Sequence, residues 1–220
     1  MTVSNCELRF ARSEMGSSEL DFGEHLRVLF VARGSAEISP LTDKRPRSLA
    51  MGEAALEAEA VRVIANEEGT VVLFWELGSP HDSAPYAEMR EPVDLDVNGE
   101  YLIRCDRVDF PPGGEALLHT HQGPGIRCLL KGGLSVAVAG HTKDLKPLDP
   151  WFESGPEPVY ASASENEPTA FVRVMVLPAA LLGESSIRYV REEDRAKPKS
   201  QRYTVYLDEP IALPDCLHTP

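Results

Sequence analysis

The sequence predicts an all-β protein, and three observations carry that expectation. Its apolar segments are short, rich in Val, Leu and Phe, and mostly bounded by Gly, Pro, Asn or Asp, the pattern of many strands separated by turns. The 16 glycines and 18 prolines are more punctuation than a helical bundle carries. Two stretches of the chain can also be laid on one another, which points to a strand and turn unit used twice.

The expected strands run in order through residues 26–32, 61–65, 71–77, 101–110, 126–130, 134–139 and 171–177. Helical propensity rises at residues 53–60, 179–182 and 191–196, the last stopping before Pro198. The first of these is assigned to a strand and turn, because the internal repeat passes through it. Residues 26–34 align with 124–132, each a strand run into a glycine turn at Gly34 and Gly132, at an offset of 98. Residues 49–56 align with 145–152 at an offset of 96, and 70–77 with 169–177 at about 99–100. Pro80, Pro85 and Pro92 punctuate the polar stretch between the copies, and Asn98-Gly99 is a turn signal before the second. The expected domains are 1–95, 96–200 and a C-terminal strand and tail, 201–220. An extra strand at 201–207 is expected to cover a sheet edge in its own chain or a partner's, and exposed edges predict a homodimer.

Composition bounds the function. At 220 residues and 24.2 kDa the chain fits one large domain or two small ones. With 42% hydrophobic and 26% charged residues it is neither disordered, collagen-like nor a coiled-coil rod. A net charge of −13 repels phosphate backbones and anionic lipid, so neither nucleic acid nor membrane is an expected partner. No apolar run reaches the roughly 18 residues of a spanning helix, and the N-terminus has no signal-peptide core, so the expected compartment is the cytoplasm. Cys6, Cys105, Cys128 and Cys216 are widely spaced with no Cys-x-x-Cys, and reduced thiols are expected.

The sharpest motif is Pro111-Pro112-Gly113-Gly114-Glu115-Ala116-Leu117-Leu118-His119-Thr120-His121. On a strand, residues i and i+2 share a face, so His119 and His121 can chelate one divalent ion. Gly113, five residues, His119-Thr120-His121, the Gly123-Pro124-Gly125 turn and a strand ending in Gly132 resemble the first motif of the cupin family. Residues 148–159 resemble its second motif weakly. The resemblance covers roughly residues 100–178 well and 20–78 faintly, and implies two tandem jelly-roll barrels (double-stranded β-helices), a bicupin with a degenerate N-terminal copy.

The departures from the family pattern are specific. Gly125 stands where the family's metal-binding Glu belongs, and the family's last His falls on Pro158 or Val159. The N-terminal copy has no His-x-His, only His25, and reads as a metal-free scaffold. If Val159 is the equivalent position, strand parity aims Glu157 into the barrel, and a proline is a poor occupant of a paired strand. Arg127 shares the parity of Gly125, Gln122 offers a weaker oxygen ligand, and Trp151 is placed at the barrel mouth.

Three readings of this set stand open. In the first, His119, His121 and Glu157 hold Fe(II), Mn(II), Ni(II) or Zn(II) with open positions, the arrangement of a dioxygenase-like enzyme. In the second, Arg127 and Glu157 neutralise one another and no metal binds. In the third, Arg127 holds an anionic small molecule while the His pair does acid–base work, or only binding occurs. Hydrolase and nucleotide motifs are absent. Cys105 and Cys128 read as inert core thiols, His81 and His141 as surface residues, Trp75 as core, and 191–195 as a solvated face.

Overall fold

The computed structural model describes residues 3–16, 19–42 and 44–214. They form two compact units, one ending at Gly99 and joined by Leu213 and Pro214, the other Glu100–Ala212. The first contains β1 (Val3–Met15), β2 (Glu19–Phe22), β3 (Leu26–Arg33), β4 (Ser35–Pro40), β5 (Arg47–Ala50), β6 (Ala54–Glu57), β7 (Val61–Ala65), β8 (Thr70–Gly78) and β9 (Met89–Asp96). The second contains β10 (Tyr101–Phe110), β11 (Glu115–His121), β12 (Gly125–Lys131), β13 (Leu134–Val138), β14 (His141–Leu145), β15 (Pro150–Glu153), β16 (Val159–Ala163), β17 (Thr169–Pro178), β18 (Ile187–Tyr189) and β19 (Arg202–Ile211).

Each unit is a jelly-roll barrel of two antiparallel sheets. In the first the orders are β6-β3-β8-β1-β9 and β2-β7-β4-β5, and in the second β15-β12-β17-β10-β19 and β14-β13-β16-β11-β18. Strands β1 to β8 correspond in order to β10 to β17, and β9 to β19, while β18 is an addition. The offsets read from the sequence recur in the register: Phe74 and Arg173 are equivalent through their partners Leu29 and Arg127, and Ala55 and Trp151 through the same two residues. Gly34 and Gly132 carry the sharp turn at φ +76° and +75°, where a Cβ would strike the buried Thr70 or Thr169 hydroxyl.

The same register shows how the two interiors differ. Phe22 pairs with Val61 as His119 pairs with Val159. Leu29, Phe74, Ala11 and Ala55 occupy the positions of Arg127, Arg173, Asp106 and Trp151. The first interior is accordingly closed by Phe22, Leu29, Val63, Phe74 and their apolar neighbours, with Phe22 edge-on to Phe74 at 4.9 Å. The second has an apolar floor of Val108, Phe110, Leu129, Leu134 and Phe171, and polar groups above it.

Several expectations need adjustment. Residues 53–60 do form a strand and turn, but the other two helical segments are only short 3-10 turns, Ala179–Leu181 and Glu192–Ala196. The terminal strand pairs with β10 of its own chain, because the open edge of that strand accepts it. Cys105 and Cys128 are buried thiols outside any disulfide, and burial pushes Cys105 well above the ordinary thiol range. Cys6 is disulfide-bonded, contrary to the expectation of four reduced thiols, and Cys216 lies outside the described residues. Asp194 in the charged run is buried and pairs with Lys197 at 2.7 Å. No helix among the described residues is long and apolar enough to cross a membrane.

Candidate metal centre

His119 and His121 lie on one face of β11 and are 6% and 5% exposed, as the alternation of a strand dictates. Their rings are perpendicular, and the two Nε2 atoms are 3.2 Å apart. His119 Nδ1 is 2.7 Å from the Leu117 carbonyl, which can only accept, so Nδ1 carries the proton and Nε2 is a bare lone pair. His121 Nδ1 is 3.3 Å from Ser186 Oγ, which also lies 3.9 Å from the Met175 sulfur. Neutral His121 carries one ring proton, on Nδ1 toward Ser186 or on Nε2 toward Glu153 and His119, and the first of these tautomers frees Nε2 for a metal. Burial pushes His119 below the usual imidazole range and His121 down to about 3, so both rings are neutral near pH 7.

The carboxylate beside them is Glu153. Its Oε2 stands 3.3 Å from His121 Nε2 and 2.7 Å from Arg127 Nη2, and Trp151 Nε1 donates to its Oε1 at 2.9 Å. Glu153 belongs to β15, directly opposite Gly125 on β12. At Gly125 a Cβ would collide with the Val174 carbonyl and Met175, so the family position carries no side chain and the cross-strand neighbour supplies the carboxylate. Burial alone would raise the Glu153 pKa, but the Arg127 charge, the adjacent His121 ring and the Trp151 donor outweigh it and hold the group far below the usual carboxylate range.

Arg127 is 1% exposed and faces the site. Its Nη1 donates to the Gly125 carbonyl. Nη2 pairs with Glu153 as a charge but off the angle of a hydrogen bond, so neither Arg127 Nη2 nor Glu153 Oε2 has a hydrogen-bond partner in the protein. Burial pushes Arg127 down to about 10, still charged at neutral pH. Its cross-strand neighbour Arg173 is held by Asp106 in two hydrogen bonds of 2.6 and 3.0 Å.

Of the residues expected at the site, His119, His121, Arg127 and Trp151 come together around one cavity of about 30 Å³, room for an ion or one or two waters. Glu157 does not join them. The turn after β15 passes through Gly155 at φ +110° and leaves residues 156–158 exposed, so Glu157 points to solvent. Gln122 follows His121 with the opposite parity and donates to the Ser185 carbonyl at 3.3 Å, outside the cavity. Sequence reasoning missed Glu153, Asp106, Arg173 and Ser186. Arg173 and Asp106 did leave a trace, as charges inside otherwise apolar strands; Glu153 left none without the register of β12 on β15.

The donor set can be tested against a metal ion. Two nitrogen ligands at about 2.0–2.1 Å from a common ion stand roughly 2.8–3.4 Å apart at octahedral to tetrahedral angles, and 3.2 Å falls within that span. Among the described residues no three His, Cys, Asp or Glu side chains are already closed around one point. The His pair fits, and Glu153 would complete the set by turning its Oε2 from Arg127.

No protein-family model matches the chain, and no curated protein matches it. Solved structures do. Oxalate decarboxylase from Bacillus subtilis, whose structure concerns its Mn(II) centres, is 12% identical with a TM-score of 0.61, over 89% of this chain and 74% of that one. AerE from Microcystis aeruginosa is 10% identical with a TM-score of 0.59, over 79% of this chain and 88% of that one. At such identity the likeness is one of fold, and the fold is that of the cupins, here two double-stranded β-helix barrels in tandem.

Proposed function

We propose that the second barrel binds a small anionic molecule at a divalent metal ion held by His119 and His121, with Glu153 or a water completing the shell. One observation carries the reading. His119 Nε2, His121 Nε2 and Glu153 Oε2, three atoms able to ligate a metal, are gathered at 3.2 and 3.3 Å around His121 Nε2, and the His pair has the spacing of two ligands of one ion. One ring proton on His121 Nε2 can serve one of its two neighbours, whereas a divalent ion would satisfy all three atoms at once. The Leu117 carbonyl and Ser186 hydroxyl act as the outer partners that fix imidazole ligands. Bound there, Fe(II), Mn(II), Ni(II) or Zn(II) would polarise an oxygen of the ligand, the choice following availability as much as affinity.

Arg127 cancels Glu153, and Arg173 cancels Asp106, so a divalent ion would keep its full charge and draw an anion as co-ligand. The first barrel, with Phe22 where His119 stands, is on this reading a degenerate copy and a scaffold. The alternative is a metal-free binding protein, and the 2.7 Å approach of Arg127 to Glu153 is what favours it. Metal analysis of protein purified without chelator decides between them: about one ion per chain, lost in His121→Ala, is expected. Substoichiometric metal unchanged by that substitution would overturn the metal reading.

The acidic surface supports neither nucleic acid nor membrane as a partner. Open edges such as β9 and β19 support a homodimer. A monomeric mass by light scattering at micromolar concentration would count against the dimer.

A further inference from the structure

The 30 Å³ cavity at the histidines is too small for an organic molecule, so any ligand of the metal must extend elsewhere. A second cavity of about 250 Å³ adjoins it in the same unit, and Arg173, Ile187 and Tyr203 line both. Its volume lies below the roughly 300–1,000 Å³ of drug-sized sites, which leaves room for about ten non-hydrogen atoms.

The chamber's buried charges are spent on one another. Arg104 is held by Asp208 through two bonds of 2.9 Å and donates to the carbonyls of Leu181 and Glu184 at 2.6 and 2.7 Å. Arg173 is held by Asp106. Glu184, Ser185 and Lys199 line the chamber from exposed positions, where water screens their charge or satisfies them, so a charged body would find no buried partner of opposite sign, whereas an apolar body would meet Ile187, the Tyr203 ring and Val205. Val205 is 55% exposed, an apolar side chain at the rim of a cavity that would otherwise present it to water.

We propose that this chamber holds the body of the metal's ligand, and that the ligand is a monocarboxylate with a short apolar or aromatic body. Its carboxylate reaches the ion between Arg173, Ile187 and Tyr203, and its body lies against Ile187, Tyr203 and Val205. The assignment rests on the metal reading above.

The test uses full-length protein loaded with Mn(II), with metal content measured on every sample. Benzoate, which has nine non-hydrogen atoms, is the probe for the chamber, azide for the ion alone, and tartrate for a polar body. Binding is read by calorimetry and by the fall in water-proton relaxation as bound water leaves the ion. Benzoate and azide are expected to bind wild type, and benzoate at least tenfold more tightly than tartrate. Val205→Trp, which fills the chamber, and Val205→Glu, which charges its rim, should each weaken benzoate at least tenfold. Azide affinity and metal content should stay within twofold. Metal uptake without benzoate binding, or benzoate binding indifferent to both variants, would overturn the chamber while leaving the metal reading intact. Failure to take up Mn(II) would overturn both.

Discussion

Arg127→Met separates the structural role of the guanidinium from any role toward a ligand. Arg127 is 1% exposed, and the Glu153 side chain it neutralises is 11% exposed. Removing the cation leaves a buried carboxylate with only Trp151 Nε1 as a firm donor, since His121 Nε2 approaches its other oxygen without making a hydrogen bond. Breaking a buried pair from one side costs about 3–5 kcal/mol, so the metal-free variant should lose that much stability in urea denaturation at pH 7.5 with chelator present. Arg127→Met/Glu153→Gln should recover most of the loss, because Gln keeps an oxygen for Trp151 and carries no charge. A saturating divalent ion should narrow the deficit of Arg127→Met relative to wild type, since the ion replaces the guanidinium as counter-charge. A cost below about 1 kcal/mol in chelator, or a double variant no better than the single one, would refute the pairing and its assigned geometry.

Three further outcomes are expected. His121→Ala should lower bound metal from about one ion per chain to a trace by elemental analysis, with the fold retained by circular dichroism. Metal-free wild type should be acid-labile: His121 has its folded pKa near 3 against an ordinary 6.5, so stability is full above pH 6.5 and falls as the unfolded chain takes up the proton. The loss is about 2 kcal/mol at pH 5; Glu153, also depressed, adds to it below pH 4.5. Urea midpoints that are level from pH 7.5 to 5, or equally steep in His121→Asn, would contradict this. Ser186→Ala should weaken metal affinity about 10–100-fold in competition with a chelator, by freeing the His121 tautomer. Ser186→Thr should restore it, and an unchanged affinity in the alanine variant would remove Ser186 from the site.

The fold was legible because its signals are local and repeated. Gly34 and Gly132 end equivalent strands, Thr70 and Thr169 begin equivalent strands, and the offsets of 96 to 99 between such landmarks survive in the strand register. His119 and His121 were legible because the two-residue period of a strand puts them on one face whatever surrounds it. Glu153 was not, because its place depends on which residue of β12 it faces, a non-local register that no single strand records. Glu157 failed for the related reason that parity was carried back across a turn, where the strand period does not hold.

The two barrels bear on why the polar set exists. One backbone topology accommodates Leu29, Phe74 and Ala11 in the first unit and Arg127, Arg173 and Asp106 in the second, at equivalent register positions. The fold therefore has no need of charge there. Buried ion pairs commonly stabilise less than apolar residues of similar volume, and two of them side by side carry desolvation costs that the first unit avoids at these positions, although it buries Arg27 against Glu76 elsewhere. Phe22 in place of His119 seals the first interior against Phe74, while in the second the corresponding space stays open and His119, His121 and Glu153 line it. An arrangement that is unnecessary for folding and costly to bury is expected where it serves a ligand, and the ligand that His119, His121 and Glu153 are together suited to hold is a positive charge.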